Sequence, residues 1–528
     1  MAYVARPSAR SALFAAPGPL PRLRPGRRSW LLPAALLLAG AVISGFTILQ
    51  GIDPFDEGLV LQAARRVAAG QVPYRDFTWS YGPAQPYLLA GLFKLFGVSL
   101  LDWRILRALA DGAVALTAYA FVAPRVPRRL ALAAWLAVAC EMAEPRNANP
   151  FPFALLAVLV ALWLATTDPP DRRRLVGAAV ATAVAAAFRL DFAVYGAAAV
   201  TVVLALRAGI PRALEYAGVT AALSLLVYLP FAVIDGPGSL YHSLIGVSLE
   251  TGAYWSLPFP LHYHAPAGAG IGKTLKHAID FYVPLLAVVG LGVVSLAAAA
   301  RTWRDRQAPA LLAGLVVLGA GLLAYLLSRT DDIHTQPLVV VVVIGLCLGV
   351  TTVPRPAAAL CLALVAVLLV HGVANRISAL VQPPAEVPLQ VAGADGVMTG
   401  SREAAAIDRM VAIVDRDVPP AGPIYVLPRR SDLVDLNDPL IYVLTNRANP
   451  TTADFGLQTG ARAQAQIIRA LARVRPRILV RWTDPLSSTR EPNLRGRSSG
   501  VHTLDAWVAL HYRPLATLYH YEVLTTRG

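Results

Sequence analysis

The chain has 528 residues, of which 56% are hydrophobic and 15% are charged, and its mean hydropathy is +0.54. A soluble chain cannot bury so large an apolar fraction, so the composition predicts a polytopic membrane protein. The net charge of +15 comes from basic clusters between apolar runs, which is typical of cytoplasmic loops and argues against a nucleic-acid partner. Cys140, Cys347 and Cys361 lie inside apolar runs, which predicts neither a disulfide framework nor a thiolate metal site.

The N-terminal segment, residues 1–29, is rich in arginine and proline and precedes an apolar run from Trp30 to Gln50. This run is longer than the apolar core of a typical cleaved signal peptide. We therefore expect a disordered, basic cytoplasmic tail that is followed by an uncleaved first span.

Further apolar runs of about spanning length follow along the chain. They cover residues 103–123, 130–143, 150–167, 175–190, 191–208, 213–234, 279–300, 308–328, 337–352 and 356–373. The sequence thus predicts a mainly α, polytopic membrane domain over residues 30–373, with about eleven transmembrane helices. The two runs that meet at Arg189–Asp191 could also form one bent unit.

The orientation of the domain depends on the short apolar stretch Pro83–Gly97, in the first loop at residues 51–102. If this stretch lies in the membrane interface, the arginine-rich loops all face the cytoplasm, as the positive-inside rule requires. Those loops contain Arg125, Arg128 and Arg129, then Arg172 to Arg174, then Arg207 and Arg212, and then Arg301, Arg304 and Arg306. We therefore predict that residues 83–97 and the preceding "EGLVLQAARRVAAG" form juxtamembrane amphipathic helices on the extracytoplasmic side.

With this topology, many ionisable residues gather on the extracytoplasmic face. They are Asp53, Asp56, Glu57, Arg75, Asp76, Glu144, Arg146, Arg189, Asp191, Arg329, Asp331, Asp332 and His334. Ionisable residues at membrane depth are costly, so a converging set predicts a functional site. For each residue alone, the alternative is a charged helix end that lies among the lipid headgroups.

Several stretches resemble the glycosyltransferase C (GT-C) superfamily. They are the pair Asp56–Glu57, "VAAGQVPYRDFTWSYGPAQPYLLAGLFKLFG", Arg104 at the start of the second span, "FRLDFAVYG" at 188–196 and "SRTDDIHTQP" at 328–337. Members are integral membrane enzymes related to protein O-mannosyltransferases and to the lipid A aminoarabinose transferase. The resemblance implies transfer of a sugar from a polyprenyl-phosphate donor, with an acidic pair of the first extracytoplasmic loop at the active site. Leu190 and the doubled Asp331–Asp332 depart from the family pattern.

The resemblance implies an acceptor hydroxyl in a glycan, lipid or protein, and a hexose or pentose that is transferred with inversion. A carboxylate can accept the proton of that hydroxyl, and Asp56 is the best candidate base, with Glu57 assisting it. Asp53 and Glu57 could instead stabilise the start of the following helix. Mg²⁺ or Mn²⁺ held by Asp56 and Glu57 is a further possibility, although no cofactor is certain.

The fork of an arginine side chain suits the phosphate of such a donor. The candidates for this contact are Arg189, Arg329 and Arg75, and the further site candidates are Asp191, Asp331, Asp332 and His334. An arginine that is paired with Asp191 or Asp331 would instead be structural.

Two patterns in the long extracytoplasmic loop, residues 235–278, are weaker. "AGAGIGKT" at 267–274 lacks the first glycine of a nucleotide-binding phosphate loop, and the topology places it away from ATP. His262 and His264 have the spacing of a strand face, but no third zinc ligand is evident near them in the sequence.

A proline-rich linker at residues 374–400 precedes a more charged segment at 401–528. This segment predicts a small α/β domain, with a helix opened by Ser401, a strand "PIYVLP", a strand or short helix "PLIYVLTNR", a helix "ARAQAQIIRALARVR", a strand "RILVRW" and a final strand "LYHYEVLTT". An odd number of spans puts this domain outside the cytoplasmic (inner) membrane, with the N-terminus inside.

Two other functions remain open from the sequence alone. A polytopic transporter or flippase of lipid-linked sugars would show internal symmetry, and we find no repeat. A non-catalytic subunit of lipid-glycan assembly would carry the same charged loops without turnover.

Overall fold

The computed structural model of the chain describes residues 30–167, 171–260, 271–301, 307–454 and 458–527. The predicted N-terminal tail, His262, His264 and the first half of the phosphate-loop-like stretch lie outside these residues. Predictions for these segments therefore stay predictions.

Helices make up the N-terminal three quarters of the described chain. They are α1 (Leu31–Gly45), α2 (Asp56–Ala68), α3 (Ala84–Phe96), α4 (Leu101–Val122), α5 (Arg128–Glu141), α6 (Phe151–Thr166), α7 (Arg172–Phe188), α8 (Leu190–Ala208), α9 (Ile210–Asp235), α10 (Pro237–Tyr241), α11 (Val247–Trp255), α12 (Ile271–His277), α13 (Val283–Arg301), α14 (Gln307–Ser328), α15 (Asp332–Gly349) and α16 (Arg355–Val381). Short π-helical turns, His242–Gly246 and Ala278–Tyr282, join α10 to α11 and α12 to α13.

Seven described helices are long and apolar enough to cross a membrane, and α1 and α6 are shorter apolar helices. The predicted mainly α membrane architecture is therefore confirmed, whereas the number of eleven spans stays a prediction. The runs that meet at Arg189 form two helices, because this residue is extended with φ −148° and ψ 117°. Both α7 and α8 pack against α6.

The helix α15 lies at the centre of the membrane domain, with every residue from Thr335 to Gly349 buried. A helix that is apolar on all sides must be surrounded by other helices, and this position outweighs the low helix propensity of the run Val339–Val343. The polar first turn of α15 therefore lies at the end of a rigid, buried element.

In its described residues, the C-terminal domain contains a two-stranded sheet, a four-stranded sheet and four α-helices. Its elements are β1 (Glu386–Pro388), β2 (Met398–Gly400), α17 (Ser401–Asp417), β3 (Tyr425–Leu427), α18 (Leu440–Leu444), α19 (Ala461–Val474), β4 (Ile478–Trp482), α20 (Thr503–His511), β5 (Tyr512–Leu518) and β6 (Tyr521–Thr526). The strand order is β3-β4-β6-β5, with β3 parallel to β4 and the other pairs antiparallel. The predicted α/β character is confirmed.

Three details differ from the sequence prediction. The last membrane helix extends to Val381, and the predicted linker contains the antiparallel pair β1 and β2. "LYHYEVLTT" is not one strand, since β5 and β6 meet at a turn at Tyr519, where φ is +44°. The helix α20 was missed because its nine residues, six of which are apolar, show no clear helical period.

The C-terminal domain packs directly on the first loop. The buried ion pair between Arg66 and Asp454 has a nitrogen–oxygen distance of 2.7 Å. Gly58 in α2 lies against the backbone of Leu440, so close that a Cβ atom there would lie 2.4 Å from the Leu440 nitrogen. The glycine therefore permits the contact between α2 and α18.

We expect Gly58→Ala to destabilise the protein by about 1–3 kcal/mol, because the added methyl group overlaps a backbone that cannot move freely. Thermal unfolding in detergent would measure this. The matched control is Gly91→Ala in α3, where a Cβ atom has nothing within 4 Å and should be neutral or slightly stabilising. Equal unfolding midpoints for the two variants would contradict the packing of α2 on α18.

Candidate active site

The start of α2 is set by Asp53 in the first loop. One of its carboxylate oxygens, Oδ1, accepts hydrogen bonds from the amides of Phe55 and Asp56 at 3.1 and 3.0 Å. This is the interaction by which an acidic side chain caps a helix N-terminus. Asp53 therefore fixes the point at which Asp56 and Glu57 enter the helix.

Glu57 forms a fully buried ion pair with Arg104 of α4. The Arg104 Nε and Nη2 atoms lie 2.6 and 2.8 Å from the two carboxylate oxygens, and neither side chain is exposed. Arg104 also donates to the carbonyl oxygens of Ile48 and Gly51, at 2.8 Å each. Glu57 thus holds the first loop on the membrane domain, and its carboxylate does not face the cavity described below.

Asp56 differs from Glu57 in both environment and partners. Its side chain is exposed, lines the cavity, and makes no hydrogen bond or ion pair with a described residue. Burial of the site among the cavity walls and the nearby charge of Asp53 raise the pKa of Asp56 to about 7. The positive charge of Arg329 opposes this shift. Asp56 is therefore a free carboxylate that changes its protonation near neutral pH.

A cavity of about 570 Å³ opens beside Asp56, between the first loop, α5, α12, α15 and α16. This volume suits a small polar ligand such as a sugar phosphate. Its walls are strongly acidic: the carboxylates are Asp53, Asp56, Glu141, Glu144, Asp280, Asp332 and Glu386. Arg107 anchors the loop that carries Glu144, because it donates a hydrogen bond to the Asn147 carbonyl oxygen at 3.0 Å.

Three cationic side chains, Arg146, Lys276 and Arg376, also line the cavity. Lys276 lies 2.7 Å from Asp280 and 3.6 Å from Asp332, so carboxylates already neutralise it. Arg376 donates to backbone carbonyl oxygens, including that of Ala143 at 3.0 Å. Its guanidinium group therefore faces the protein.

Arg146 is different because its exposed side chain has no hydrogen bond or ion pair with the described residues. Its guanidinium group packs against Gly51, where a Cβ atom would lie 2.1 Å from Nη1. Gly51 also has a positive φ of +64°, which favours glycine. The positive charge of Arg146 lowers the pKa of Asp53, although burial raises that pKa overall. Arg146 is thus available to an anionic ligand.

The predicted phosphate contact Arg189 lies in a closed environment. It binds both oxygens of Asp191, at 3.0 and 2.6 Å, and donates to Asn149 at 2.9 Å. The rings of Tyr81 and Tyr325 also face it, with centroids at 5.1 and 4.7 Å from its central carbon. This pairing matches the structural alternative that the sequence left open.

Arg329, Asp331 and His334 form one group at the start of α15. Arg329 pairs with Asp331 at 2.9 Å and donates to the Trp255 carbonyl oxygen at 2.5 Å. Asp331 caps α15 through the His334 amide at 3.0 Å and contacts the His334 ring at 2.6 Å. The charges of Arg329 and Asp331 both act on Asp56, so the structure brings this group to the acidic loop.

The remaining predicted residues divide between the cavity and the surface. Asp332 lies in the cavity wall. Arg75 is bound to Asp76 at 2.7 Å, and it does not line the cavity. Arg75 therefore lies outside the cavity wall, as Arg189, Arg329, Asp331 and His334 also do.

The sequence prediction missed a polar network on the far wall of the cavity. His371 of α16 contacts Asp280 at 2.6 Å, and Asp280 pairs in turn with Lys276. Glu141, the last residue of α5, lies beside this network. These residues lie at the ends of apolar runs, and this position is the feature of the sequence that could have identified them.

No protein-family model and no curated protein matches the chain. Solved structures match in fold. One is ArnT from Cupriavidus metallidurans bound to undecaprenyl phosphate, with a TM-score of 0.57 and 15% identity over 95% of this chain and 99% of that chain. Its apo state gives 0.55, at 15% identity over 93% and 97%. The apo oligosaccharyltransferase of Archaeoglobus fulgidus gives 0.50, at 11% identity over 86% and 70%. The chain therefore shares the fold of these structures, and the predicted resemblance to the GT-C superfamily is confirmed at the level of the fold.

We expect Glu57→Gln to destabilise the protein by about 3–5 kcal/mol, because it leaves the buried charge of Arg104 without a counter-charge. Asp56→Asn should change stability little, since its carboxylate has no partner to lose. Chemical unfolding in detergent would measure both variants. Similar losses for the two would contradict the different roles that the structure gives these neighbours.

Proposed function

Starting from the GT-C fold, we propose that this protein is a membrane glycosyltransferase that moves a sugar from a polyprenyl-phosphate donor to an acceptor hydroxyl. The proposal rests on the Asp56 carboxylate, which lines the cavity, lacks a partner among the described residues and has a pKa of about 7. A lipid-phosphate donor is supported by ArnT, whose solved complex holds undecaprenyl phosphate. The sugar is a hexose or pentose, and the acceptor is a glycan, lipid or protein.

The proposed reaction is a single displacement. Asp56 accepts the proton of the acceptor hydroxyl while the hydroxyl oxygen attacks the anomeric carbon. The bond between that carbon and the phosphate oxygen breaks, and polyprenyl phosphate leaves with the electron pair. Attack opposite the leaving group inverts the anomeric configuration. Because phosphate is a good leaving group, it needs charge stabilisation more than a proton.

Arg146 is the first candidate for that charge stabilisation. It is exposed in the cavity and has no side-chain partner among the described residues, so binding a phosphate breaks no ion pair. Arg329, whose charge acts on Asp56, is the second candidate, although Asp331 and Glu491 already pair with it. Arg189 and Arg75 are less suitable, since Asp191 and Asp76 already occupy their guanidinium forks.

The residues fit a divalent cation only in part. Asp56 and Glu57 do not face one point, because both oxygens of Glu57 bind Arg104. Asp56 and Asp53 line the cavity together and would hold Mg²⁺ or Mn²⁺ if one binds. Such an ion would neutralise phosphate charge, while the proton transfer stays with Asp56.

We propose that the cavity and the C-terminal domain lie on the extracytoplasmic side of the cytoplasmic membrane. The helix α5 supports this orientation, since it begins at Arg128 and ends at the cavity with Glu141. The basic residues thus lie at the opposite end of the helix, as the positive-inside rule requires. The C-terminal domain packs on α2, next to Asp56, and therefore shares the side of the cavity.

We expect Asp56→Asn to lower turnover by about 10²–10⁴-fold, because a carboxamide cannot accept the hydroxyl proton. Release of polyprenyl phosphate from a panel of polyprenyl-phosphate sugars, with envelope extracts as acceptors, would measure it. Asp76→Asn, in the same loop but outside the cavity, is the control and should keep wild-type turnover. Wild-type turnover by Asp56→Asn would remove Asp56 from the reaction, and donor binding without turnover by the wild type would favour an assembly subunit.

For Arg146→Gln we expect donor affinity to fall about tenfold, because one charge-assisted contact to the phosphate is lost. Binding of a radiolabelled polyprenyl phosphate would test this. Arg469→Gln, on the exposed surface of α19, is a charge-matched control that should bind normally. Equal affinities for the two variants would assign the phosphate to another cation, with Arg329→Gln as the next variant to measure.

A further inference from the structure

Two buried amide side chains in the wall of the cavity have hydrogen-bond donors without an acceptor among the described residues. Asn147 lies in the loop between α5 and α6 and is 9% exposed, and Gln336 lies near the start of α15 and is 4% exposed. Almost every buried N–H group in a folded protein has an acceptor, because leaving it unpaired away from water is costly. Two unpaired donors beside one cavity therefore point to acceptors on the ligand.

Asn147 uses every polar group except its side-chain nitrogen. Its backbone amide donates to the Glu144 carbonyl oxygen at 3.1 Å, and its own carbonyl oxygen accepts from Trp103 and Arg107 at 2.9 and 3.0 Å. Its side-chain oxygen Oδ1 accepts from the Asn149 amide at 2.9 Å. This contact fixes which branch of the side-chain amide is the oxygen. The Nδ2 atom is the remaining group, and it has no partner among the described residues.

Gln336 is oriented by the same arginine that holds the Asn147 loop. The Arg107 Nη2 atom lies 3.4 Å from the Gln336 side-chain oxygen Oε1. A guanidinium group only donates hydrogen bonds, so the oxygen of Gln336 must face it and the Nε2 atom must occupy the other branch. Arg107 is itself fully buried and fixed by Asp111 at 2.8 Å. Nε2 makes no hydrogen bond with a described residue, so Gln336 offers a fixed donor in the cavity wall.

The chemistry of these donors suits the hydroxyl groups of a sugar. Amide N–H groups are neutral, whereas a phosphate binds more strongly to an arginine such as Arg146. Asp332, which also lines the cavity, lies one helical turn before Gln336 on α15. A hydroxyl group both accepts and donates, so it can accept from Gln336 and donate to a carboxylate of the same wall. Arg146 directly precedes Asn147, so one short loop offers groups for both parts of a sugar phosphate.

We propose that Asn147 and Gln336 bind the transferred sugar of the donor, each by donating a hydrogen bond from its side-chain nitrogen to a sugar hydroxyl oxygen. This inference rests on the proposed glycosyltransferase function and adds the residues that select the sugar. A donor whose sugar lacks such a hydroxyl leaves a buried amide unpaired and is rejected. Polyprenyl phosphate without a sugar does not use either amide, so its affinity is independent of them.

The test is equilibrium binding of radiolabelled lipids to the full-length protein in detergent. The lipids are undecaprenyl phosphate alone and undecaprenyl phosphate that carries mannose, glucose or arabinose. Gln336→Met keeps the length of the side chain in α15, and Asn147→Ser keeps an oxygen for the Asn149 amide. We expect each variant to lose about tenfold in affinity for the sugar-bearing lipid that the wild type binds best. Affinity for undecaprenyl phosphate alone should stay within about twofold of wild type.

Gln466→Met, at an exposed position of α19 outside the cavity, is the matched control and should bind every lipid like wild type. Thermal unfolding identifies a variant that fails to fold, and the other variant then decides. Wild-type affinity of the variants for the sugar-bearing lipid, or an equal loss for the lipids with and without a sugar, would refute the sugar contact alone. A sugar that adds nothing to wild-type affinity would do the same. A wild type that binds none of these lipids would overturn the proposed function as well.

Discussion

The buried ion pair between Glu57 and Arg104 decides where Asp56 points. Adjacent residues of an α-helix differ by about 100° in direction, so fixing one side chain fixes the other. With Glu57 bound to Arg104 inside the protein, Asp56 is directed into the cavity. The same guanidinium group holds the chain that precedes Asp53 through its carbonyl oxygens. The exposed position of the Asp56 carboxylate therefore depends on the buried ion pair of its neighbour Glu57.

The electrostatics of the cavity follow from this arrangement. Asp53 turns toward the helix start, which places two carboxylates side by side and raises the pKa of Asp56 to about 7. A base works best when its pKa is close to the pH at which it operates. The cations near Asp56 are mostly paired, as Lys276 is with Asp280, and Arg146 is the exception. An anionic donor and an ionisable base can thus be held in one acidic cavity.

The sequence was sufficient for most of the long apolar helices. The predicted run 308–328 corresponds to Gln307–Ser328, because apolar length alone defines a membrane helix. The sequence was not sufficient to predict which partners the charged residues have in the folded protein. Nothing local shows that Arg189 is enclosed by Asp191, Tyr81 and Tyr325, since two of these contacts join distant segments.

Long-range contacts also explain the other omissions. Asp280 and His371 are in contact although they are 91 positions apart in the sequence. In the C-terminal domain, Asp432 and His502 likewise lie close together although they are 70 positions apart. Such contacts depend on packing, which a pattern in one sequence does not encode. Asp56 could be chosen because its alternatives, Asp53 and Glu57, had a recognisable structural role at a helix start.

The most direct measurement is the pH dependence of single-turnover sugar transfer by the wild type and by Asp53→Asn. If Asp56 is the base, the wild-type rate should rise tenfold per pH unit on the acidic side and level off above about pH 7. Removing the charge of Asp53 should move this midpoint to lower pH while asparagine still caps the helix. A rate that is independent of pH between about pH 5 and about pH 8, or an identical midpoint in both proteins, would contradict the account.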